Sequence, residues 1–200
     1  MKRRDILAAF IIGEVCALIF LWVSRFLELP AFIIRLARFF PLVLPVLSIS
    51  GTYVVSLFEK RKLAIFQFGK SFLVGILNTF IDLGVLNLLM WAFNITSGVS
   101  YSIFKGVSVF IATVNSYFWN KFWAFEKKET EKAGTEFLQF FLIAGIGFLI
   151  NLGVASLLVN VIGPQFGLSD KIWANIGALV AVFFGFSWNF FGYKFVVFKK

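Results

Sequence analysis

SFLVGILNTFIDLGVLNLL, residues 71–89, is an apolar run that carries Asp82 near its middle and Asn78 one helical turn away. A bilayer-crossing helix needs roughly 20 mainly apolar residues, and this run supplies them. A carboxylate at such a depth costs roughly 2.5–3.5 kcal/mol on insertion scales, so it needs a partner or a purpose. The pattern returns as FFLIAGIGFLINLGVASLL, residues 140–158, with Asn151 where the first copy has Asp82. A repeated membrane segment with one charged and one neutral copy organises the reading of the chain.

Composition agrees. The 200 residues are 60% hydrophobic with 29 Phe, and mean hydropathy is +0.91. Soluble domains are about 45–50% apolar, so the chain reads as an all-α integral membrane protein. There is no histidine and a single cysteine, Cys16. A disulfide within the chain, a Cys/His metal site and a Ser/His or Cys/His catalytic pair are therefore excluded. No polar stretch is long enough for a soluble catalytic domain, and no cofactor is implied. The net charge of +9 fits the accumulation of Lys and Arg in cytoplasmic loops, with no need of a nucleic-acid partner.

Six spans follow, at residues 6–24, 39–58, 71–93, 100–123, 137–162 and 172–191. The first follows Lys2, Arg3 and Arg4. It is long for a signal-peptide core and shows no small-residue cleavage site, so it reads as a retained helix. Glu14 in its middle reads as a protonated or hydrogen-bonded carboxyl, or as a proton or ligand site. Pro30 ends this helix. Residues 32–38 put Arg35 and Arg38 on one side of a short interfacial helix, where they could meet lipid phosphates. Pro41, Pro45 and Gly51 weaken the second span but are tolerated in membranes. Residues 59–70 read as a basic loop. Asn94-Ile95-Thr96 matches a glycosylation sequon by pattern alone. Trp119 to Trp123 reads as an interface belt, and residues 126–136 as a solvent-exposed loop. Gly163-Pro164 signals a turn. With both termini inside, 14 of the 19 Lys and Arg fall on the cytoplasmic side, which supports an N-in, C-in topology in the cell membrane.

The two halves match without gaps over their first helices, IDLGVLNLL (residues 81–89) with INLGVASLL (residues 150–158). Both second helices carry Trp-Asn, at Trp119-Asn120 and Trp188-Asn189. Both end in a Lys-Phe-x-x-Phe cluster, starting at Lys121 and Lys194. Each copy contains two spans, so both enter the membrane in the same direction as parallel two-helix repeats. Phe72 to Gly75, Asn78-Thr79, Asp82, Lys105, Asn120 to Phe125 and the second copy ending at Phe198 resemble the GtrA-like family of small membrane proteins. The resemblance covers residues 66–200 as a four-helix bundle, preceded by a transmembrane hairpin at residues 1–58. It implies a non-catalytic role in cell-surface polysaccharide or cell-wall glycosylation: moving a polyprenyl-phosphate-linked sugar across the cytoplasmic membrane. A related unit occurs fused to polyprenyl-phosphate glycosyltransferases. Alternatives are a membrane subunit that positions a separate glycosyltransferase, and a dimeric small-solute exporter. Membrane lipids and a second copy of the chain are further expected partners.

Helical spacing places Ser71, Gly75, Asn78 and Asp82 on one face, and Lys105, Ser108, Ala112, Asn115 and Trp119 on another. Such small-and-polar stripes let membrane helices approach closely and hydrogen-bond. Asp82 lies about 16 Å and Lys105 about 9 Å from the outer ends of their helices, so the lysine stem can reach the carboxylate. An Asp82–Lys105 pair either locks two helices or lines a polar path. In the second case Lys105 attracts a phosphate and Asp82 and Asn78 bind sugar hydroxyls, with Asn115 a further substrate-binding residue on the same path. Asn151 and Ala174 stand at the matching positions of the second copy, where both charges are absent. Lys121, directly after Asn120, and Lys194, five residues after Asn189, either capture the lipid phosphate or simply signal topology.

Overall fold

The computed structural model describes residues 1–25, 31–59, 62–95, 98–129, 131–167 and 170–198, and among these gives no side-chain placement for 98, 101, 102, 155, 170–175, 178 and 179. Pro30, Thr96 of the sequon, and Lys60, Arg61, Lys199 and Lys200 lie outside the described residues. So does the side chain of Ala174.

Among the described residues seven α-helices run in order: α1 (Arg3–Val23), α2 (Ala31–Ala37), α3 (Phe40–Ser56), α4 (Leu63–Phe93), α5 (Gly98–Trp119), α6 (Ala133–Ser156) and α7 (Asp170–Gly192). π-helical turns follow three of them, at Asn120–Ala124, Leu157–Ile162 and Tyr193–Val197. Among the described residues there is no strand. Among the described residues four segments are long and apolar enough to cross a membrane: Arg3–Val23, Leu63–Phe93, Ala133–Ile162 and Val180–Val197. The pair α2 and α3, bent by 62°, makes a fifth candidate. The protein is thus an all-helical, multi-pass membrane protein. α5 has 22 residues, length enough for a span, but is not among those candidates. Lys105, Ser108 and Asn115 lower its hydropathy.

Helix α4 starts at Leu63, two turns before the expected span. The expected basic loop at residues 59–70 is therefore helical from Leu63 onward, and Lys70 is buried, not solvent-exposed. The expected interfacial helix is α2, with Arg35 and Arg38 exposed. Pro45 lies inside α3, and Asn94 ends α4 in the left-handed conformation at φ 54°. Glu14 is half-buried, with no hydrogen bond or ion pair among the described residues.

The chain divides into two compact units, Met1–Glu126 and Lys127–Lys200. In the first, α1 packs on α3 and α4, and α4 packs on α5. Ala8, Ile12 and Cys16 of α1 bury against Val74 and Leu77 of α4 and against Trp123. α1 and α3 touch closely at Gly13, where a Cβ would lie 2.6 Å from the Pro45 Cα. In the second unit α6 packs on α7. Fully buried Phe140 stacks on Tyr193 with centroids 3.9 Å apart. Here α6 and α7 approach at Gly185, whose Cβ would meet the Gly147 carbonyl at 2.8 Å and the Asn151 Cβ at 3.1 Å.

Candidate functional site

Helices α4 and α5 run antiparallel, and their polar stripes meet rung by rung. At one end Ser71 Oγ donates to Asn120 Oδ1 at 2.6 Å. In the middle Asn115 Nδ2 donates to Asn78 Oδ1 at 2.8 Å. Further along, Ser108 Oγ donates to Asp82 Oδ1 at 2.6 Å, and Lys105 Nζ pairs with Asp82 Oδ2. The residues share faces because three- and four-residue steps return to one side of a helix. Each rung supplies a partner that hydrocarbon cannot, which removes most of the cost of polar groups at that depth.

The rungs differ in access. Ser71, Ser108 and Asn120 are buried. Asn120 is also saturated, since its Nδ2 donates to the Ser116 carbonyl at 2.9 Å. The charged rung is open: the Asp82 side chain is 20% exposed and that of Lys105 40%. A carboxylate held by a cation and a hydroxyl, with the ammonium still reachable, can exchange its partners for the hydroxyls or phosphate of a ligand. The Asn78–Asn115 rung is half-buried.

Lys121 and Lys194 occupy matching surroundings in their own units. Lys121 is fully buried, and its Nζ donates to the Tyr117 hydroxyl at 3.2 Å. It lies 5.5 Å from the Tyr117 ring centre and 5.8 Å from that of Phe122. Lys194 lies 5.8 Å from both Phe190 and Phe195. Phe118 stacks on Phe122 as Phe191 stacks on Phe195. Both lysines sit in a π-helical turn closed by the same bond, Phe125 N–H to the Asn120 carbonyl at 2.8 Å and Phe198 N–H to the Tyr193 carbonyl at 2.7 Å. The Lys-Phe-x-x-Phe clusters are therefore locally equivalent. The Trp-Asn pairs are not: Asn120 matches Tyr193, and Asn189 falls one turn earlier, where the first unit has Ser116. The extra residues between Asn189 and Lys194 shift that register by a turn. The belt expected from residues 119–123 is also corrected. Lys121 and Trp123 are buried, and Phe122 faces outward.

In the second unit Asn151 is half-buried with no hydrogen bond among the described residues. Asn189 packs against Gly147, and its Oδ1 is buried with no hydrogen-bond partner among the described residues. Gly147 stands where the first unit has Asn78, so the amide-to-amide rung of that unit has no counterpart here.

The model of the GtrA/DPMS transmembrane domain matches residues 70–198. The chain belongs to this family. No curated protein and no solved structure matches it.

The GtrA/DPMS segment begins at Lys70, a residue that sequence reasoning assigned to a loop, and its helix hairpin ends near Glu126. Both close on α1, which lies outside the matched segment. Lys70 Nζ lies 2.7 Å from Asp5 Oδ1 and 3.3 Å from Glu126 Oε1. It donates to the Trp123 carbonyl at 3.3 Å and lies 4.3 Å from the Phe66 ring centre. Asp5 is fully buried and accepts Trp123 Nε1–H at 3.1 Å and its own helix cap, the Lys2 N–H, at 3.0 Å. Glu126 also pairs with Arg4 and, at 3.1 Å, with Lys2. Burial pushes the Glu126 carboxyl up, but the hydrogen bonds from Arg4 and Lys2 and the charges of Lys70 and Arg4 outweigh it. They bring it from an ordinary 4.5 down to about 2. A faint signal preceded this cluster: Asp5 is the lone acid directly behind a basic triplet, at one end of an apolar helix.

Proposed function

We propose that this GtrA/DPMS protein moves a polyprenyl-phosphate-linked sugar across the cell membrane for glycosylation of the cell surface. One observation carries the reading: Asp82 sits within the candidate span α4, and its pair with Lys105 of α5 stays accessible. An accessible pair can trade its partners for the groups of a ligand, because water and lipid headgroups already compete with an exposed ion pair. In this reading Lys105 meets the phosphate, and Asp82, Asn78 and Asn115 exchange their mutual hydrogen bonds for sugar hydroxyls. Isoenergetic exchange of that kind keeps a polar headgroup solvated while it leaves water. Asn120 and Lys121 then serve the helix ends. Asn151, Asn189 and Lys194 form the less charged counterpart in the second unit.

The topology that goes with this reading has six spans, with α5 among them and both termini cytoplasmic. The GtrA/DPMS domain is then two parallel two-helix repeats behind an N-terminal hairpin. Purified protein in liposomes is expected to accelerate movement of a fluorescent polyprenyl-phosphate sugar to the opposite leaflet, and Lys105→Ala to abolish the acceleration. A wild-type protein that moves no such lipid and copurifies with a glycosyltransferase is a positioning subunit instead. Efflux of small cations without lipid movement makes it an exporter.

A further inference from the structure

Glu14 has no place in the polar rungs or in the Asp5–Lys70–Glu126 cluster. It lies near the middle of α1, about 14 Å along the axis from Val23 and about 16 Å from Arg3. A glutamate side chain spans neither distance, so its carboxyl stays at hydrocarbon depth. It is half-buried and has no hydrogen bond or ion pair among the described residues. Ionisable groups at that depth pair with one another or with other polar groups. The rest of α1 shows from which side a partner comes. Ile12 and Cys16 pack towards α4, and Gly13 meets α3. Glu14 falls on the remaining side, with exposed Leu7, Ile11 and Leu18 and half-buried Leu21. Residues 7, 11, 14, 18 and 21 are spaced by four, three, four and three, the spacing of a seam between two supercoiled helices. Beside this seam, Leu18 and Trp22 wall an open apolar recess of about 460 Å³ with Val85 and Leu88 of α4.

We propose that two copies of the chain associate along this seam, α1 against α1, with the two Glu14 side chains meeting at its centre. Lipid tails can cover Leu7, Ile11 and Leu18 but offer a carboxyl no hydrogen bond. A second copy offers another carboxyl. In acid form each carries a donor and an acceptor, so two of them satisfy each other and leave no charge in hydrocarbon. A cationic partner helix would instead bring a second charge to desolvate. Register selects the same occupant. Both copies insert in one direction, so their α1 helices run parallel, and a two-fold axis sets each seam residue against its own copy at one depth. A single polar residue within such a seam fixes that register. Charge at the Arg3 end is already reduced, because Glu126 holds both Lys2 and Arg4.

Disulfide trapping of the full-length protein in membranes tests the geometry. Cys16→Ala first removes the native thiol. In that background Leu18→Cys is expected to give a cross-linked dimer on oxidation, because a parallel seam brings the two thiols within bonding reach. Leu83→Cys, exposed on α4 and off the seam, is expected not to. Energy transfer between copies labelled at the C-terminus, reconstituted in liposomes, tests the chemistry. Glu14→Leu is expected to weaken association at least about fivefold, the scale of an interhelical hydrogen bond. Glu14→Gln is expected to stay within about twofold of wild type, because an amide also carries a donor and an acceptor. Absent trapping at Leu18→Cys, equal trapping at Leu83→Cys, or unchanged association in Glu14→Leu overturns the proposal. So does a loss in Glu14→Gln as large as in Glu14→Leu, or trapping of Leu18→Cys only to a different protein, which would give the seam to a cationic partner.

Discussion

Replacing Lys70 by Met removes a cation and keeps its length in a place where nothing else can supply the charge. Lys70 is 1% and Asp5 0% exposed, with Nζ and Oδ1 2.7 Å apart. After the change Asp5 keeps two neutral donors, Trp123 Nε1–H and the Lys2 N–H. Breaking a buried ion pair from one side costs about 3–5 kcal/mol, because the other charge stays buried. The surviving donors put Lys70→Met near the lower end, at about 3 kcal/mol. Asp5→Asn leaves Lys70 with Glu126 and the Trp123 carbonyl; it loses one charge-assisted bond, about 1.5–3 kcal/mol, and, because an amide has a single acceptor oxygen, one neutral acceptor as well, about 1 kcal/mol. The double variant buries a neutral amide beside Met and leaves no stranded charge. Its loss is expected to fall short of the sum of the single losses by about 1–3 kcal/mol, as for directly interacting pairs. Unfolding of the full chain in mixed micelles, followed by tryptophan fluorescence, measures all four corners of the cycle. Additive losses, or a Lys70→Met loss under about 1 kcal/mol, refute the claim that this pair ties α1 to the family domain.

Two further outcomes follow from the same unit. Glu126 has its pKa lowered to about 2 in the folded protein. A depressed carboxyl contributes stability that is present above its unfolded value near 4.5 and is lost as pH falls towards 2. Acid titration of micelle-bound protein should show that loss, and Glu126→Gln should flatten it. Gly13→Ala places a methyl 2.6 Å from the Pro45 Cα and 2.7 Å from the Leu44 carbonyl oxygen, backbone atoms that cannot swing aside. It is expected to lower thermal stability by about 1–3 kcal/mol, whereas Gly51→Ala should not.

The polar ladder was legible because it obeys a period. Asn78, Asp82, Lys105, Ser108 and Asn115 recur at three and four residues, and two such stripes on consecutive helices face each other. The structure then pairs Asp82 with Lys105 and Asn78 with Asn115. Family membership was legible from the order of small motifs between Phe72 and Phe198. The Asp5–Lys70–Glu126 cluster was not, since its members come from three distant places and no periodicity links them. Lys70 read as one more loop cation because the start of α4 carries no capping signal: Lys62, at its cap, makes no side-chain cap bond. The different register of Asn189 was legible from spacing. The Trp-Asn pairs are identical, but Asn189 lies five residues before Lys194 where Asn120 lies one before Lys121, and the lysine and its stacked rings set the register, one turn away.

Asp82→Asn tests the central claim most directly, because it turns the charged rung into what the chain already carries at Asn151. The amide keeps an acceptor for Ser108 and removes the charge that faces Lys105, so the fold should survive. Liposomes containing the Asp82→Asn protein are predicted to move a polyprenyl-phosphate sugar at least about tenfold more slowly than wild type, a barrier increase of about 1.4 kcal/mol. Translocation at the wild-type rate would mean that the charge fastens two helices and that the sugar lipid takes another path.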